Sequence, residues 1–315
     1  MMLTDYAVVI PAHNAEEFIA ASLASVAQQS LLPREVIVVD DGSLDRTGQY
    51  AREAGATVFA QELARGPSAS RNLGVAQSTA PLVAFLDADD EWLPDHAERL
   101  VQALTSRGAV FAGSDAVRFG FESGLMTTDL AGDAPLDLRD LLIAENPVIQ
   151  SSVVMLRDVF NDVGGYDETI RLSEDYDLWT RVADRGTFAY VKAPTVRRRM
   201  HFAQASVQYR SDLVGAWWHV RRRAAIRRLD TASSIERESV IRLLTQASRS
   251  DVEWAIWTGD SDMLTLVREE LSETDKALGL KGRLGALGGL GVPALRLSQD
   301  VRCCSRAVLR ILKGA

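Results

Sequence analysis

The run Asp87-Ala88-Asp89-Asp90 sets several carboxylates at the end of an apolar stretch, PLVAFL at 81–86. Carboxylates this close repel one another unless a cation or a set of donors compensates. A hard divalent ion takes oxygen ligands and commonly shares them with substrate phosphates. Bridging a diphosphate in that way neutralises charge on a departing group. The plainer alternative is a cap, since Asp90 ahead of a helix beginning near Pro94 needs no ligand. Asp40-Asp41-Gly42-Ser43 ends a second apolar run, EVIVV at 35–39. It suits either a turn with an Asp-capped helix or a carboxylate that accepts hydrogen bonds from a nucleobase N–H or a ribose hydroxyl. Glu174-Asp175 follow Ser173 at the head of a helical stretch, where the helix dipole alone favours acids. Their chemical alternative makes Asp175 a general base for an attacking hydroxyl. Arg71 and Asn72 have the chemistry to meet phosphates or a sugar, although an exposed helical arginine is ordinarily just solvated. His201 follows Arg197-Arg198-Arg199-Met200 and suits either a structural role or an imidazole ligand beside the acids.

These groups need elements to position them. Strands are expected at 6–11, 35–39, 56–60, 81–86 and 109–113, separated by helices at 16–29, 45–55, 67–78 and 94–106. Such alternation, with strands apolar on both faces, predicts an α/β domain with a mostly parallel sheet. Ligands in such sheets bind at the carboxyl ends of strands, where both Asp40-Asp41 and Asp87–Asp90 fall. Residues 117–147, with Gly, Asp and Pro and short helical pieces, read as loops over a cleft. A strand at 151–156, a helix at 174–185 and a strand near 187–192 follow, and beyond 211 the pattern is helical.

The chain has 315 residues, 47% hydrophobic and 25% charged, which is an ordinary globular composition. Its net charge of −8 argues against nucleic acid as a partner. The two cysteines, Cys303 and Cys304, are adjacent and offer neither a disulfide framework nor zinc-ligand spacing, which fits a reducing compartment. The opening MMLTDYAVVIPAHN enters an apolar strand at once, without a leader pattern. No run reaches the roughly 18 apolar residues of a membrane span. A cytoplasmic protein is the expectation.

Seven segments, in order, resemble the family 2 glycosyltransferases of the GT-A fold. They are VVIPAHN at 8–14, EVIVVDDGSLDRT at 35–47, GPSASRNLGVA at 66–76, FLDADDEWLP at 85–94, SSVVMLRDVFNDVGGYDE at 151–168, SEDYDLWTR at 173–181 and RMHFAQAS at 199–206. The resemblance implies a GT-A domain over 1–210, with its mostly parallel central sheet, and an α-helical region over 211–315. It implies an inverting transfer of sugar from a nucleotide-diphosphate sugar to an acceptor hydroxyl, with UDP the default nucleotide. By the same resemblance Pro11, Ala12, Asn14, Asp41, Arg71, Asp87 and Ala88 line the nucleotide and donor pocket. Asp89 becomes the principal ligand of a divalent metal, Mn²⁺ or Mg²⁺, with Asp87 assisting and His201 near the metal and diphosphate. Asp175 becomes the catalytic base, supported by Glu174. His13 stands where the family usually has tyrosine or phenylalanine. The implied acceptor is a hydroxyl-bearing glycan, a lipid-linked sugar or a small molecule, in polysaccharide, glycolipid or other glycoconjugate synthesis.

Two other enzyme classes fit less well. A sugar-phosphate nucleotidyltransferase wants a glycine-rich, basic loop after the first strand, and here that loop is PAHNAEE. A nicotinamide dehydrogenase wants GxGxxG after a strand, which is missing. A non-catalytic nucleotide-sugar-binding module would have lost key acids, yet Asp41, Asp87, Asp89 and Asp175 all stand. In the C-terminal region, LVGAWWHVRRRAAIRRL at 213–229 sets Leu213, Trp217, Val220 and Ala224 on one helical face beside arginines. Such a helix lies on a membrane surface or, the reading favoured here, packs on protein with its arginines in water. The basic, apolar stretch 305–313 keeps peripheral contact with the cytoplasmic face of a membrane among the expectations, and a homo-oligomer is compatible with the sequence.

Overall fold

The structure, a computed structural model, describes residues 4–284 except 129, 131, 133, 205–207, 209, 231, 259–260 and 281–283. Cys303, Cys304 and the stretch 305–313 lie outside the described residues. Contacts divide the chain into two compact units, 1–139 with 147–202, and 140–146 with the residues from 203 onward.

In the first unit β1 (Tyr6–Ala12), β2 (Glu35–Asp41), β3 (Thr57–Gln61) and β4 (Leu82–Phe85) alternate with α1 (Ile19–Ala27), α2 (Thr47–Glu53) and α3 (Pro67–Gln77). There follow β5 (Glu91–Trp92), α4 (His96–Arg107), β6 (Phe111–Gly120) and β7 (Gly124–Met126). A 3₁₀ turn (Gln150–Ser152), β8 (Val154–Leu156), α6 (Arg157–Asp162), α7 (Glu174–Ala183) and β9 (Phe188–Met200) complete it. The strands form one sheet in the order β3-β2-β1-β4-β8-β6-β9-β5, with β7 on β6. Pairing is parallel from β3 to β4. Beyond β4 it turns antiparallel, apart from the long β6–β9 ladder. A mostly parallel sheet therefore describes the half that carries the acidic clusters, and the sheet as a whole is mixed.

The parallel half is apolar on both faces because helices cover both. Tyr6, Val8 and Ile10 of β1 share a core with Ile19 and Leu23 of α1 and Leu100 and Leu104 of α4, all at most 5% exposed. Val9, one residue out of phase, meets α3 on the other face, as the period-2 alternation of a strand requires. There Gly74 comes so close that an added Cβ would sit 2.4 Å from Val9 Cγ1. Each aliphatic side chain taken fully out of water contributes about 1.5–3 kcal/mol, and these four strands bury Val8, Val9, Ile10, Ile37, Val38, Val39, Leu82 and Val83. α4 stops at Gly108, whose φ of 61° takes the left-handed turn natural to a helix end.

The elements that periodicity misses are those set by distant pairing. β6 runs to Gly120 and β9 to Met200, well past the strands expected at 109–113 and 187–192. Residues 117–147, expected as loops with short helical pieces, include one such piece, α5 (Leu141–Ala144) of the second unit, but also the end of β6 and all of β7. Arg197-Arg198-Arg199 belongs to a strand because β6 pairs with it throughout, after a bulge at Ser114–Ala116.

The second unit joins α5 to α8 (Arg210–Asp230), α9 (Ser234–Thr258) and α10 (Ser261–Leu278). Its core gathers Ile143, Val214, Trp218, Ala225, Leu229, Leu244, Val267 and Leu271. The buried stripe of α8 is thus centred on Val214 and Trp218, one residue on from the face expected at Leu213 and Trp217, although Val220 and Ala224 are buried too. The α8 arginines are not simply solvated: Arg221 pairs with Asp251 at 2.5 Å and Arg222 with Glu270 at 3.1 Å. No described helix is long and apolar enough to cross a membrane.

Candidate active site

The order β2-β1-β4 brings three parallel strand ends side by side. Pro11 and Ala12 close β1 opposite Val39 and Asp40 of β2. Ala12 and, after β4, Ala88 turn their side chains into the core, so what they can offer a ligand is backbone. Past β1 the chain bends at Asn14, whose φ of 48° is uncommon for a residue with a side chain. Asn14 ties the β1 and β2 loops together: its N–H donates to Ser43 Oγ at 3.0 Å and its Oδ1 accepts from Leu44 N at 2.9 Å. His13 Nδ1 lies 2.7 Å from the Asp41 carbonyl oxygen. A carbonyl only accepts, so Nδ1 carries the proton, and Nε2 is left to accept from Asn14 Nδ2 at 3.0 Å.

Asp41 is 4% exposed and organises the loop that leads into α3. One carboxylate oxygen accepts from Gln61 Nε2 at 3.0 Å and Arg65 N at 2.8 Å, the other from Gly66 N at 2.8 Å. A carboxylate has about four acceptor directions, so this arrangement leaves one for a ligand. Asp40 closes the turn by accepting from Ser43 N at 3.2 Å. The helix-start role falls to neither acid, because Asp45 accepts from Thr47 N at 2.9 Å.

α3 carries Arg71 inward, 4% exposed. Its Nη2 donates to Asp87 Oδ1 at 2.8 Å and its Nη1 to Glu174 Oε1 at 2.9 Å, while its guanidinium lies 5.2 Å from the centre of the Tyr166 ring. Burial works against the charge, but Asp87, then Tyr166 and Glu174, outweigh it and hold the guanidinium above its ordinary range. Arg71, whose sequence context allowed either a solvated surface arginine or a donor contact, is therefore a buried hub of the cluster. Asn72 beside it holds the Tyr166 backbone from both sides, donating to its O at 2.9 Å and accepting from its N at 2.8 Å.

Asp89 and His201 meet across 112 residues, Asp89 Oδ2 lying 2.8 Å from His201 Nε2. Both stay partly open, with side chains 24% and 22% exposed. The His201 ring lies 4.9 Å from that of Phe18. Asp90 does not cap α4, where Asp95 holds the cap position. It is buried, accepting from Ser151 Oγ at 2.6 Å and from Arg199 N at 2.9 Å. Among the described residues no group of three or more His, Cys, Asp or Glu side chains is gathered as for a metal ion.

α7 begins at Glu174 after Ser173, whose φ of 63° makes it, with Asn14, one of two described non-glycine residues with positive φ. Strained backbone of this kind tends to collect at functional sites. Asp175 Oδ1 accepts from Tyr176 N at 2.7 Å. Burial first, and then the neighbouring charge of Glu174, push its pKa up to about 7. That value suits a group that must exchange a proton near neutrality.

The structure thus brings Arg71, Asp87, Glu174 and Asp175 into one electrostatic cluster, and Asp89 with His201 into a second pair. Pro11, Ala12, Asn14, Asp41 and Ala88 lie along the adjoining strand ends. Tyr166 and Ser151 join the site without standing out in the sequence, although both lie within the segment 151–168 that carries the resemblance. The signal was their place beside Gly164-Gly165 and at the start of the strand expected at 151–156.

The sequence profile of Glycosyl transferase family 2 matches residues 7–164, just over half of the chain. The succinoglycan biosynthesis protein ExoU of Rhizobium meliloti (strain 1021) is 34% identical over 202 residues, 58% of this chain and 58% of that protein. This chain therefore spans little more than half the length of that relative. A second relative is the Escherichia coli UDP-Glc:alpha-D-GlcNAc-diphosphoundecaprenol beta-1,3-glucosyltransferase WfgD. It is 24% identical over 213 residues, 65% of this chain and 81% of that protein. Among solved structures, S. aureus TarS 1–349 in complex with UDP-GlcNAc superposes with a TM-score of 0.70, covering 90% of this chain and 83% of that one. At 17% identity this likeness is one of fold.

Proposed function

Because the chain belongs to glycosyl transferase family 2, with the GT-A fold, we propose that it moves a sugar from a nucleoside-diphosphate sugar to an acceptor hydroxyl with inversion. The observation that carries this reading is Asp175, half-buried beside Glu174 with its pKa pushed up to about 7, in the cluster that Arg71 ties to the strand-end acid Asp87. Asp175 takes the proton from the acceptor hydroxyl as its oxygen attacks the anomeric carbon. The bond to the diphosphate breaks on the opposite face, so an α-linked donor gives a β-linked product. One base is enough for this displacement, and no second protein nucleophile is required.

The strand ends bind the donor. Asp41 uses its remaining acceptor direction for a nucleobase N–H or a ribose hydroxyl. Pro11, Ala12, Asn14 and Ala88 contribute the surrounding wall, and Arg71 meets the donor through the same cluster it organises. UDP is the donor nucleotide proposed, supported by the relative named for UDP-Glc and the fold neighbour holding UDP-GlcNAc.

A divalent cation fits the Asp89–His201 pair. One carboxylate oxygen and one imidazole nitrogen converge within 2.8 Å and remain partly open, with Asp87 two residues away in the same turn. Two protein ligands leave positions for diphosphate oxygens and water, the usual arrangement for Mg²⁺ or Mn²⁺. When bound, the ion would offset negative charge on the departing diphosphate. The acceptor proposed is a sugar hydroxyl on a glycan or lipid carrier, supported by the diphosphoundecaprenol-linked acceptor in the name of the second relative. Peripheral contact with a membrane carrying such an acceptor belongs to the same proposal, and absence of co-sedimentation with anionic liposomes would overturn that part.

The deciding experiment is calorimetric binding of UDP, GDP, dTDP and CDP, each with and without Mn²⁺, repeated on Asp89→Ala. The expected result is metal-dependent binding of UDP that the variant loses. Folded protein that binds none of the four overturns the reading.

A further inference from the structure

We propose that Asp90 is a positioning residue, holding Asp89 and His201 in register by bridging the turn after β4 to the end of β9. This rests on the glycosyltransferase reading of the site. Asp90 is 3% exposed. Its Oδ1 accepts from Arg199 N at 2.9 Å and its Oδ2 from Ser151 Oγ at 2.6 Å. Ser151 Oγ in turn accepts from Asp87 N at 3.2 Å. One carboxylate therefore joins three pieces of chain: the acidic turn, the 3₁₀ turn, and the strand two residues before His201.

The β5–β9 ladder explains why a side chain is needed. It pairs Trp92 with Val196 and Glu91 with Arg197 and then ends. The next β9 amide on that side, Arg199 N, has no β5 residue opposite, and the Asp90 side chain takes the place a strand carbonyl would have held. The Arg199 side chain returns the contact, donating from Nε to the Asp89 carbonyl oxygen at 2.9 Å. Two reciprocal links thus cross between 89–90 and Arg199, immediately beside the Asp89–His201 pair. A buried carboxylate without donors is costly. Here both oxygens are satisfied, and the donors they use are the ones that fix the distance between the two partly open groups.

The test uses the full chain as wild type, Asp90→Ala, Asp90→Asn and Ser151→Ala. Amide hydrogen exchange at 199–201 is followed in the metal-free protein. Affinity is then measured, with and without Mn²⁺, for whichever of UDP, GDP, dTDP and CDP the wild type binds most tightly. In Asp90→Ala, exchange at Arg199 should quicken by about tenfold and the Mn²⁺-dependent gain in affinity should fall by about tenfold, as loss of a buried hydrogen-bonded bridge allows. Metal-free affinity should stay within about twofold. Asn keeps an oxygen for Arg199 N and should recover most of the gain. If Asp90→Ala does not fold, Ser151→Ala carries the test with an expected fall of about threefold. A wild-type Mn²⁺ gain in Asp90→Ala, or in Ser151→Ala, overturns the proposal. Equal losses with and without Mn²⁺ also overturn it, because they mark a structural role only. A wild type that binds none of the four nucleotides overturns the glycosyltransferase reading, and this assignment with it.

Discussion

Arg71 ties Asp87 to Glu174. Its two terminal nitrogens lie 2.8 and 2.9 Å from those carboxylates, so a buried guanidinium from α3 links the acid after β4 to the acid that opens α7. The fork geometry of arginine suits this, since two nitrogens can serve two acids from one fixed plane. Asp175, next to Glu174, takes its setting from that link.

Replacing Arg71 should separate charge from geometry. Arg71→Met leaves Glu174 facing a buried space without its cation and should cost about 2–4 kcal/mol of stability. Arg71→Lys keeps the charge but cannot serve both acids, so it should retain more stability yet lose transfer by about tenfold or more. Urea unfolding and turnover measured on both variants check this. A lysine variant with wild-type turnover would remove the bidentate link from the mechanism.

The pKa of Asp175 predicts a pH profile. In the free enzyme kcat/KM should rise with pH through an apparent value near 7 as the base form appears. Asp175→Asn should lower transfer by about 10²–10⁴-fold while leaving nucleotide binding nearly intact. The stability sign is opposite to the usual one for aspartate. The folded pKa is raised from 3.8 to about 7, so this group's contribution is fully present below 3.8 and is lost as pH rises through 7. At about 1.4 kcal/mol per unit, Asp175→Asn should gain up to about 4 kcal/mol on wild type between pH 4 and pH 8. Unfolding curves at the two pH values that differ by a constant offset would contradict this.

His96 predicts acid sensitivity elsewhere in the same unit. It is fully buried, stacked on Trp92 at 4.1 Å between centroids, with Nδ1 2.7 Å from Thr195 Oγ1. Burial lowers its pKa from 6.5 to about 3. Stability linked to this group is whole above 6.5 and drains as pH falls toward 3, because only the unfolded chain takes the proton. His96→Leu should be less stable than wild type at pH 7, and the gap should shrink by about 2 kcal/mol by pH 4.5. Denaturant titrations at both pH values test it, and an unchanged gap would count against a neutral buried imidazole.

Gly74 predicts a packing limit. Its added Cβ would meet Val9 Cγ1 at 2.4 Å in the interface between α3 and β1. Gly74→Ala should lower stability by about 1–3 kcal/mol despite alanine's better helix propensity. Because α3 also carries Arg71, turnover should fall with it. Pairing Gly74→Ala with Val9→Ala should recover part of the loss, and failure to do so would place the strain elsewhere.

How much of this was legible depended on the range of the interaction. β1, β2 and β4 announced themselves through short apolar runs, and α7 began where Ser173-Glu174-Asp175 said it would. The second half of β9 did not, because Arg197-Arg198-Arg199 has no apolar alternation and is a strand through its pairing with β6 and, at Arg197, with β5. Asp90 looked like a helix cap because local rules offered it that role first.

The sequence by itself determined the elements of the parallel half and the placing of acids at their ends, because hydrophobic periodicity and turn chemistry act within a few residues. Only the tertiary structure decided which acid faces which base. Arg71 and Glu174 are 103 residues apart, Asp90 and Arg199 109, Asp89 and His201 112. At such separations no local pattern encodes a contact. It is the packing of α3, the end of β9 and the start of α7 around the strand ends that gathers these acids into the Arg71 cluster and the Asp89–His201 pair.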